Sequence, residues 1–202
     1  MGVRVKHFRV VAGLVALCSV VTGCAGPSAS DSAGSVAPSE SVAEAPAFHF
    51  ESGDLVIGPF DPEEVKHNLF DPCTEISDAE FAAAGLVKSA EQPGQGDFQK
   101  EIFKGCLIDN GDPFQTVLVV SNSASRSHIL RDSPQLDAPS PHPPSAFAFG
   151  PPNGSSDMCD VAVETNRGTL SVSVADELGT SDLKSLCARS SAVLSSIYRG
   201  SR

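Results

Sequence analysis

Basic residues are scarce in this sequence. Of its 14 Lys and Arg residues, three (Arg4, Lys6 and Arg9) lie in the first 23 positions, which leaves 11 against 25 Asp and Glu and a net charge near −14. Nucleic-acid-binding proteins neutralise phosphates with clustered Lys and Arg, and no such cluster is present. The composition therefore predicts no nucleic-acid partner, and it predicts that anionic lipid repels the folded part of the chain.

An apolar run long enough to cross a membrane is also missing. Val10–Val21 is apolar for about a dozen residues, whereas a transmembrane helix needs roughly 20. The run follows the basic segment that holds Arg4, Lys6 and Arg9. This arrangement is typical of a secretory signal peptide, whose apolar part has roughly 7–15 residues. We therefore predict a signal peptide over residues 1–23.

The apolar run ends in Val21-Thr22-Gly23-Cys24, which resembles the bacterial lipobox: an aliphatic residue, a small one, Gly or Ala, then Cys. The resemblance implies cleavage before Cys24, a diacylglycerol on its thiol and an acyl group such as palmitate on the new amino terminus. The alternative is an ordinary signal peptide that ends near a cysteine. Cys18 lies inside the apolar run and would leave with the peptide. The expected location is the extracytoplasmic face of the cell membrane.

Residues 24–47 are predicted to be a lipidated cysteine and a flexible tether. After Cys24 the segment contains no aromatic residue and no Lys or Arg, and it is rich in Ala, Ser, Gly and Pro. Such a segment cannot bury enough apolar surface to offset the entropy of ordering. As a coil it would reach roughly 25–30 Å. The remaining residues, 48–202, have the length of one domain.

Closely spaced cysteines are absent from this domain. Cys73, Cys106, Cys159 and Cys187 are too far apart for a zinc knuckle or a redox Cys-x-x-Cys, so no metal site and no cofactor is predicted. An even number of cysteines in an exported protein predicts two disulfides, with three possible connectivities. We prefer Cys73–Cys106 and Cys159–Cys187, because each pair would join a helix to the sheet. Each would close a loop of about 30 residues, worth roughly 3–4 kcal/mol.

Apolar periodicity and cap residues predict the secondary structure. Helices are expected from Asp61 to about Asn68, after the capping box Ser77–Glu80 with Gly85 as the stop, and after Thr180-Ser181-Asp182. The last helix has one apolar stripe: Leu183, Leu186, Cys187, Leu194 and Ile197. Strands are expected over residues 48–57, 100–108, 114–120, 159–164 and 169–174.

These elements predict an α+β domain. An antiparallel β-sheet is packed by an early helix and a C-terminal helix and carries two disulfides. Strand 114–120 is apolar on both faces, which predicts an interior position in the sheet. Residues 133–154 contain seven prolines and are predicted to be a long loop.

Several of these segments resemble a known family. Phe70-Asp71-Pro72-Cys73-Thr74, Glu80 followed by Gly85-Leu86, the lone Cys106, and Cys159-Asp160-Val161-Ala162-Val163 with Gly168 and Cys187 are similar to small actinobacterial lipoproteins catalogued as domain of unknown function 3558. Family members often have an aromatic residue where this chain has Ile108. The resemblance implies a cell-envelope location and supplies no reaction.

No catalytic arrangement stands out in the sequence. A Gly-x-Ser-x-Gly elbow is absent, and none of His49, His67, His128 and His142 has a second histidine four residues on or a cysteine nearby. We therefore favour a non-enzymatic binding domain for an envelope protein, a lipid or a cell-wall component. The alternative is a hydrolase-like enzyme whose site is assembled from distant residues. Phe147 and Phe149, in the Pro-rich segment, are the hypothesised contact surface, unless both rings pack on the core.

Overall fold

The alternating apolar residues in the second half of the chain form the middle of an antiparallel sheet. The computed structural model describes residues 45–90, 102–137 and 143–201, and the sheet within these residues has seven strands. The described residues belong to one compact unit, Val42–Arg202. The predicted α+β class is confirmed.

The strands and helices of the described residues have the following bounds. The strands are β1 (Ala47–Phe50), β2 (Gly53–Val56), β3 (Val87–Lys88), β4 (Phe103–Asp109), β5 (Gln115–Asn122), β6 (Gln135–Leu136), β7 (Phe147–Phe149), β8 (Met158–Thr165) and β9 (Gly168–Asp176). The helices are α1 (Pro62–Val65), α2 (Pro72–Glu75), α3 (Asp78–Ala83), α4 (Arg126–Asp132) and α5 (Leu183–Gly200). The large sheet has the order β3-β4-β5-β9-β8-β7-β6, while β1 and β2 form a separate hairpin. Strand β5 is thus an interior strand, as its sequence predicts.

One face of the large sheet carries the main core. Cross-strand register places Cys106, Val119, Val172, Val161 and Ala148 in one row on this face, and all five are buried. The predicted apolar stripe of α5 packs against it, since most of that stripe is buried in the same cluster. We call this side of the sheet the helical face.

Both disulfides lie on the helical face. One joins Cys73 of α2 to Cys106 of β4, and the other joins Cys159 of β8 to Cys187 of α5. These are the two pairs that the sequence favours, and each links a helix to the sheet. Ser190 strengthens the second link, because its hydroxyl lies 2.8 Å from the carbonyl oxygen of Cys159.

Cap residues begin the early helices where the sequence predicts them. Asp61 and Asp71 cap α1 and α2, each with a proline at the first helical position. The capping box of α3 is complete, since Ser77 and Glu80 satisfy each other's backbone amides. The Glu80 carboxylate also accepts a 2.8 Å hydrogen bond from the amide of Glu51 in the β1–β2 turn. One side chain therefore fixes both the helix start and the hairpin. The first helix, α1, ends at Val65, three residues before the predicted Asn68.

The single opening strand predicted over residues 48–57 is wrong. The chain reverses at Glu51 and Ser52, and β1 pairs with β2 so that Phe48 lies opposite Leu55. The reversal places both apolar side chains on one side of the hairpin, where they join the main core. In a continuous strand the side chains of Phe48 and Leu55 would lie seven residues apart and could not pack side by side.

The long loop predicted over residues 133–154 is also wrong in part. It contains β6 and β7, which extend the sheet beyond β8. The prolines of the described residues flank these strands instead of interrupting them, so Phe147-Ala148-Phe149 is free to pair with the edge of β8. The prediction rested on the number of prolines in residues 133–154 and did not consider the short proline-free stretch between them. Pro139, Pro141 and His142 lie outside the described residues.

The tight β8–β9 turn explains one glycine of the family motif. Gly168 has a φ of +107°, and a Cβ atom there would lie 2.7 Å from the Asn122 carbonyl oxygen and 2.7 Å from Leu69 Cδ1. Both the backbone conformation and the contact with neighbouring backbone exclude a side chain. This close approach brings the start of β9 against the segment that leads into α2.

Candidate functional site

The second face of the large sheet carries α4 and a cleft. The cleft has a volume of 580 Å³ and is bounded by α4, by the ends of β4 and β5 and by the segment around α1. Volumes of roughly 300–1,000 Å³ are typical of small-molecule sites. We call it the α4 cleft; it is lined by Pro62, Glu63, Lys66, Ile102, Phe103, Asn122, Ser123, Ala124, Ser125, His128, Ile129, Asp132, Ser133 and Phe149.

The surface of the cleft wall is mostly apolar, although eight of its fourteen lining residues are polar or charged. Ile102 and Phe103 come from the start of β4, Ile129 from α4 and Phe149 from β7. Ile102 is 49% exposed. The cleft therefore offers apolar surface that nothing within the described residues covers.

The charged groups of the cleft wall are paired with one another. Lys66 Nζ lies 2.7 Å from a carboxylate oxygen of Glu63. The guanidinium of Arg131 lies 2.9 Å from Oδ2 of Asp132, and its hydrogen bonds hold the pKa of Asp132 below its ordinary value. Arg131 also lies 3.1 Å from Nε2 of His128. Because these charges are compensated locally, the cleft favours a ligand without net charge.

The polar groups of the cleft do not form a nucleophile and a base. The Ser125 hydroxyl caps α4 by accepting from the backbone amide of His128, and it lies 3.1 Å from the hydroxyl of Ser127. The ring of His128 contacts Arg131 and Asp132 instead. In the part of the chain that the structure describes, no serine hydroxyl is hydrogen-bonded to an imidazole of this cleft. These cleft side chains thus cap α4 or take part in its ion pairs.

The residues predicted from the sequence are distributed over both faces. The four domain cysteines lie on the helical face, away from the α4 cleft. Cys24 lies outside the described residues. Phe147 is buried with 4% exposure and stacks on Phe149, with ring centroids 5.8 Å apart. One of the two hypothesised contact rings, Phe149, thus lines the cleft, and the other packs inward.

The described residues lack two further kinds of functional element, a metal-ligating cluster and a membrane-spanning helix. No cluster of three or more metal-ligating side chains occurs among them. His49 pairs with Asp54 on the outside of the β1–β2 hairpin at 2.9 Å. None of the helices within residues 45–90, 102–137 and 143–201 has the length and apolar character needed to span a bilayer.

Asp160 is a polar residue that the sequence did not single out as a site. It lies on the α4 side of β8 and is only 6% exposed. Burial raises the pKa of its carboxyl to about 6, although a hydrogen bond from the Ser173 hydroxyl opposes the rise. The alternation of β8 does place Asp160 opposite the core side chains Cys159 and Val161. Alternation alone predicts a solvated acid there, because the burial of that face depends on segments distant in sequence.

The comparisons with known proteins agree with the sequence motifs. A family described as Protein of unknown function (DUF3558) matches residues 19–199. The chain belongs to this family. The resemblance carried by the Asp-Pro-Cys segment and the later cysteines is confirmed. No curated protein and no solved structure matches the chain.

Most motif residues of this DUF3558 protein have a structural task. Asp71 caps α2, Glu80 caps α3 and holds the β1–β2 turn, and Gly168 permits the β8–β9 approach. The motif cysteines form the two disulfides. Asp160 is different, because burying its carboxyl costs free energy whenever the group is ionised.

Proposed function

We propose that this DUF3558 protein is a lipoprotein anchored through Cys24 to the extracytoplasmic face of the cell membrane. On this proposal its domain is a non-enzymatic binding module whose α4 cleft takes a small, uncharged and largely apolar ligand. The Val21–Cys24 sequence supports the anchor, and the family match, which begins at residue 19, includes it. Two disulfides are in keeping with an oxidising compartment outside the cytoplasm.

The charge of the mature chain makes covalent lipid the plausible means of attachment. A net charge near −14 disfavours adsorption to anionic lipid. Two or more acyl chains on Cys24 would hold the protein stably, whereas a single chain gives only marginal binding. The lipid on Cys24 would therefore supply the membrane affinity that the domain lacks.

The single observation that carries the binding proposal is the α4 cleft. It combines a volume of 580 Å³ with an apolar wall, and its flanking charges are already paired. An uncharged apolar ligand would gain the hydrophobic free energy of burial there without stranding a charge. A charged ligand would find its potential partners in the described cleft wall already paired.

The position of the cleft fits a tethered domain. The described chain enters the domain at Ala45 and Pro46, and the Pro46 carbonyl accepts a 2.8 Å hydrogen bond from the amide of Ile57. Pro46 and Arg126, the first residue of α4, line one small depression, and Ser125 beside it lines the cleft. The cleft thus lies close to the point where the proposed tether joins the domain.

Replacing Cys24 by serine tests the anchor. In a bacterial host that processes lipoproteins, we expect the wild-type chain to incorporate an alkyne-bearing palmitate analogue and the Cys24→Ser chain to incorporate none, because the serine hydroxyl does not replace the thiol. Labelling is measured by click chemistry and in-gel fluorescence. Cys18→Ser is the matched control and should label like wild type. Label on the Cys24→Ser chain would contradict the proposal.

Replacing Ile102 by lysine tests the cleft. Binding of the neutral apolar fluorophore N-phenyl-1-naphthylamine should weaken by about tenfold, which corresponds to about 1.4 kcal/mol, because the substitution removes apolar contact surface and places a hydrated ammonium at the cleft. Leu178→Lys is the matched control, because Leu178 is 58% exposed and Ile102 49%, and Leu178 lies outside the cleft. Titrations are followed by fluorescence. Equal affinities for the two variants would exclude the α4 cleft as the binding site.

A further inference from the structure

The buried Asp160 carboxyl lies next to a wall of the α4 cleft. Cross-strand register places Asp160 of β8 opposite Phe149 of β7 on one side and Ser173 of β9 on the other. Opposite residues in antiparallel strands have Cβ atoms about 4.5–5.5 Å apart. Phe149, which lines the cleft, is thus the direct cross-strand neighbour of Asp160 on β7.

The surroundings of Asp160 provide little for an ionised carboxylate. Its hydrogen-bond partner is the Ser173 hydroxyl, which donates to Oδ1. On the same face, β9 presents Thr169, Ser171, Ser173 and Ala175, and β7 presents Phe147 and Phe149. None of these side chains is ionisable. A carboxylate buried with one hydroxyl donor is under-solvated, whereas a protonated carboxyl is nearly satisfied.

The charged groups on the neighbouring elements are engaged elsewhere. Glu164, on the same face of β8, accepts a 2.8 Å hydrogen bond from the Arg126 amide. The Arg126 guanidinium lies 4.8 Å from the centroid of the Phe147 ring. Further along α4, His128, Arg131 and Asp132 contact one another. No ion-pair partner for Asp160 exists among the described residues, and its protonation therefore depends on burial and on Ser173.

The strands beyond Asp160 are short and lie at the edge of the sheet. β7 pairs with β8 through three residues, and β6 pairs with β7 through two. We call residues 135–136 and 147–149 the edge arm. Such short ladders at the edge of a sheet open locally at low cost. On its other side Asp160 is paired with β9, which lies in the interior of the sheet, so β7 is the less firmly held of its two neighbouring strands.

We propose that Asp160 is a protonation-controlled latch for the edge arm, closed when the carboxyl is neutral and loosened when it is ionised. Ionisation draws water between β7 and β8, which weakens the short ladder and releases Phe149 from its place in the cleft wall. Protonation, with the hydroxyl of Ser173 as the partner, returns β7 to the sheet. The consequence for ligand binding rests on the proposed function of the α4 cleft; the latch itself does not.

Amide hydrogen exchange of the full-length protein tests the latch. Between pH 5 and pH 7.5, protection of the residue 147–149 amides, corrected for intrinsic exchange, should fall by about tenfold or more in wild type. Asp160→Asn keeps the shape without the charge, and its protection should not change with pH. Amides of α5 serve as the internal reference. A pH-independent profile in wild type, or the same profile in Asp160→Asn, would overturn the proposal.

Two further variants sharpen the test. Asp157→Asn removes an exposed carboxyl just before β8 and should retain the wild-type profile. Ser173→Ala removes the donor to the ionised form and should move the transition to higher pH. The fluorophore titrations keep the two proposals distinguishable. If the pH dependence of exchange is lost in Asp160→Asn but Ile102→Lys leaves fluorophore binding unchanged, the latch stands and the cleft proposal fails. If Ile102→Lys weakens fluorophore binding but exchange does not depend on Asp160, the cleft proposal stands and the latch fails.

Discussion

Replacing Asp160 by asparagine is expected to raise the free energy of unfolding by up to about 3 kcal/mol above pH 6. Below about pH 4 the variant and the wild type should be nearly equally stable. The magnitude follows from a pKa that burial raises from 3.8 to about 6, at about 1.4 kcal/mol per pKa unit. Few single substitutions of a charged residue are expected to stabilise a protein this much.

The direction of the effect follows from proton linkage. In the unfolded chain Asp160 loses its proton near its ordinary pKa, whereas in the folded protein it retains the proton to about pH 6. The unfolded state therefore binds fewer protons between these two values, and stability falls as the pH rises through that window. Well above pH 6 both states are ionised and the loss is complete. Because asparagine does not ionise, residue 160 of the Asp160→Asn variant contributes no pH dependence to its free energy of unfolding.

Urea unfolding at several pH values measures this difference. Other groups contribute to the pH profile of both proteins; Asp176, for example, has a pKa that hydrogen bonds from Ser181 lower, and its contribution is lost as the pH falls. Subtracting the two profiles removes these shared contributions. Asp157→Asn should reproduce the wild-type curve. An Asp160→Asn variant that is no more stable than wild type at pH 7.5 would show that the carboxyl is adequately solvated in the folded protein.

Removing the Cys159–Cys187 disulfide should destabilise the domain by roughly 3–4 kcal/mol or more. The bridge spans 28 residues, and opening a loop of that size restores this much chain entropy to the unfolded state. Both cysteines are fully buried between α5 and the sheet, so a double alanine variant also loses packing. α5 closes the helical face, and its detachment would expose much of the core. We expect the variant to unfold at a much lower urea concentration.

The Cys73→Ala/Cys106→Ala variant is the matched comparison. Its bridge spans 33 residues, so the entropic contribution is nearly equal, but Cys73 is only partly buried. The loss of stability should therefore be smaller than for Cys159→Ala/Cys187→Ala. Unfolding midpoints and slopes in urea compare the variants, and intact mass verifies the remaining bridge. A loss below about 1 kcal/mol for the α5 bridge would contradict the expectation.

Local signals in the sequence predicted the elements that depend on neighbouring residues. The Ser77–Glu80 box begins α3, Asp182 begins α5, and the alternation of Val161 and Val172 with small or polar residues places them on the helical face. Caps and alternation are set by residues two to four positions apart, so no tertiary information is needed. The expected pairing of the cysteines follows from the same elements.

The errors occurred where distant segments decide the outcome. Whether residues 48–57 run straight or turn at Glu51 depends on Glu80, nearly 30 residues away, whose carboxylate holds the turn. Whether Phe147–Phe149 is loop or strand depends on the free edge of β8. Short apolar stretches carry too little local information to choose.

By itself the sequence determined the α+β class, the family and the residues that form the structural frame, because caps, periodicity and cysteine spacing are local properties. It also supplies the lipobox-like segment on which the proposed anchor rests. Only the tertiary structure decided that α4 and β7 leave an apolar cleft between them and that Asp160 is buried at its wall. Both features arise where strands and helices that are distant in sequence pack together. The burial of a side chain depends on this packing, which local sequence patterns do not specify.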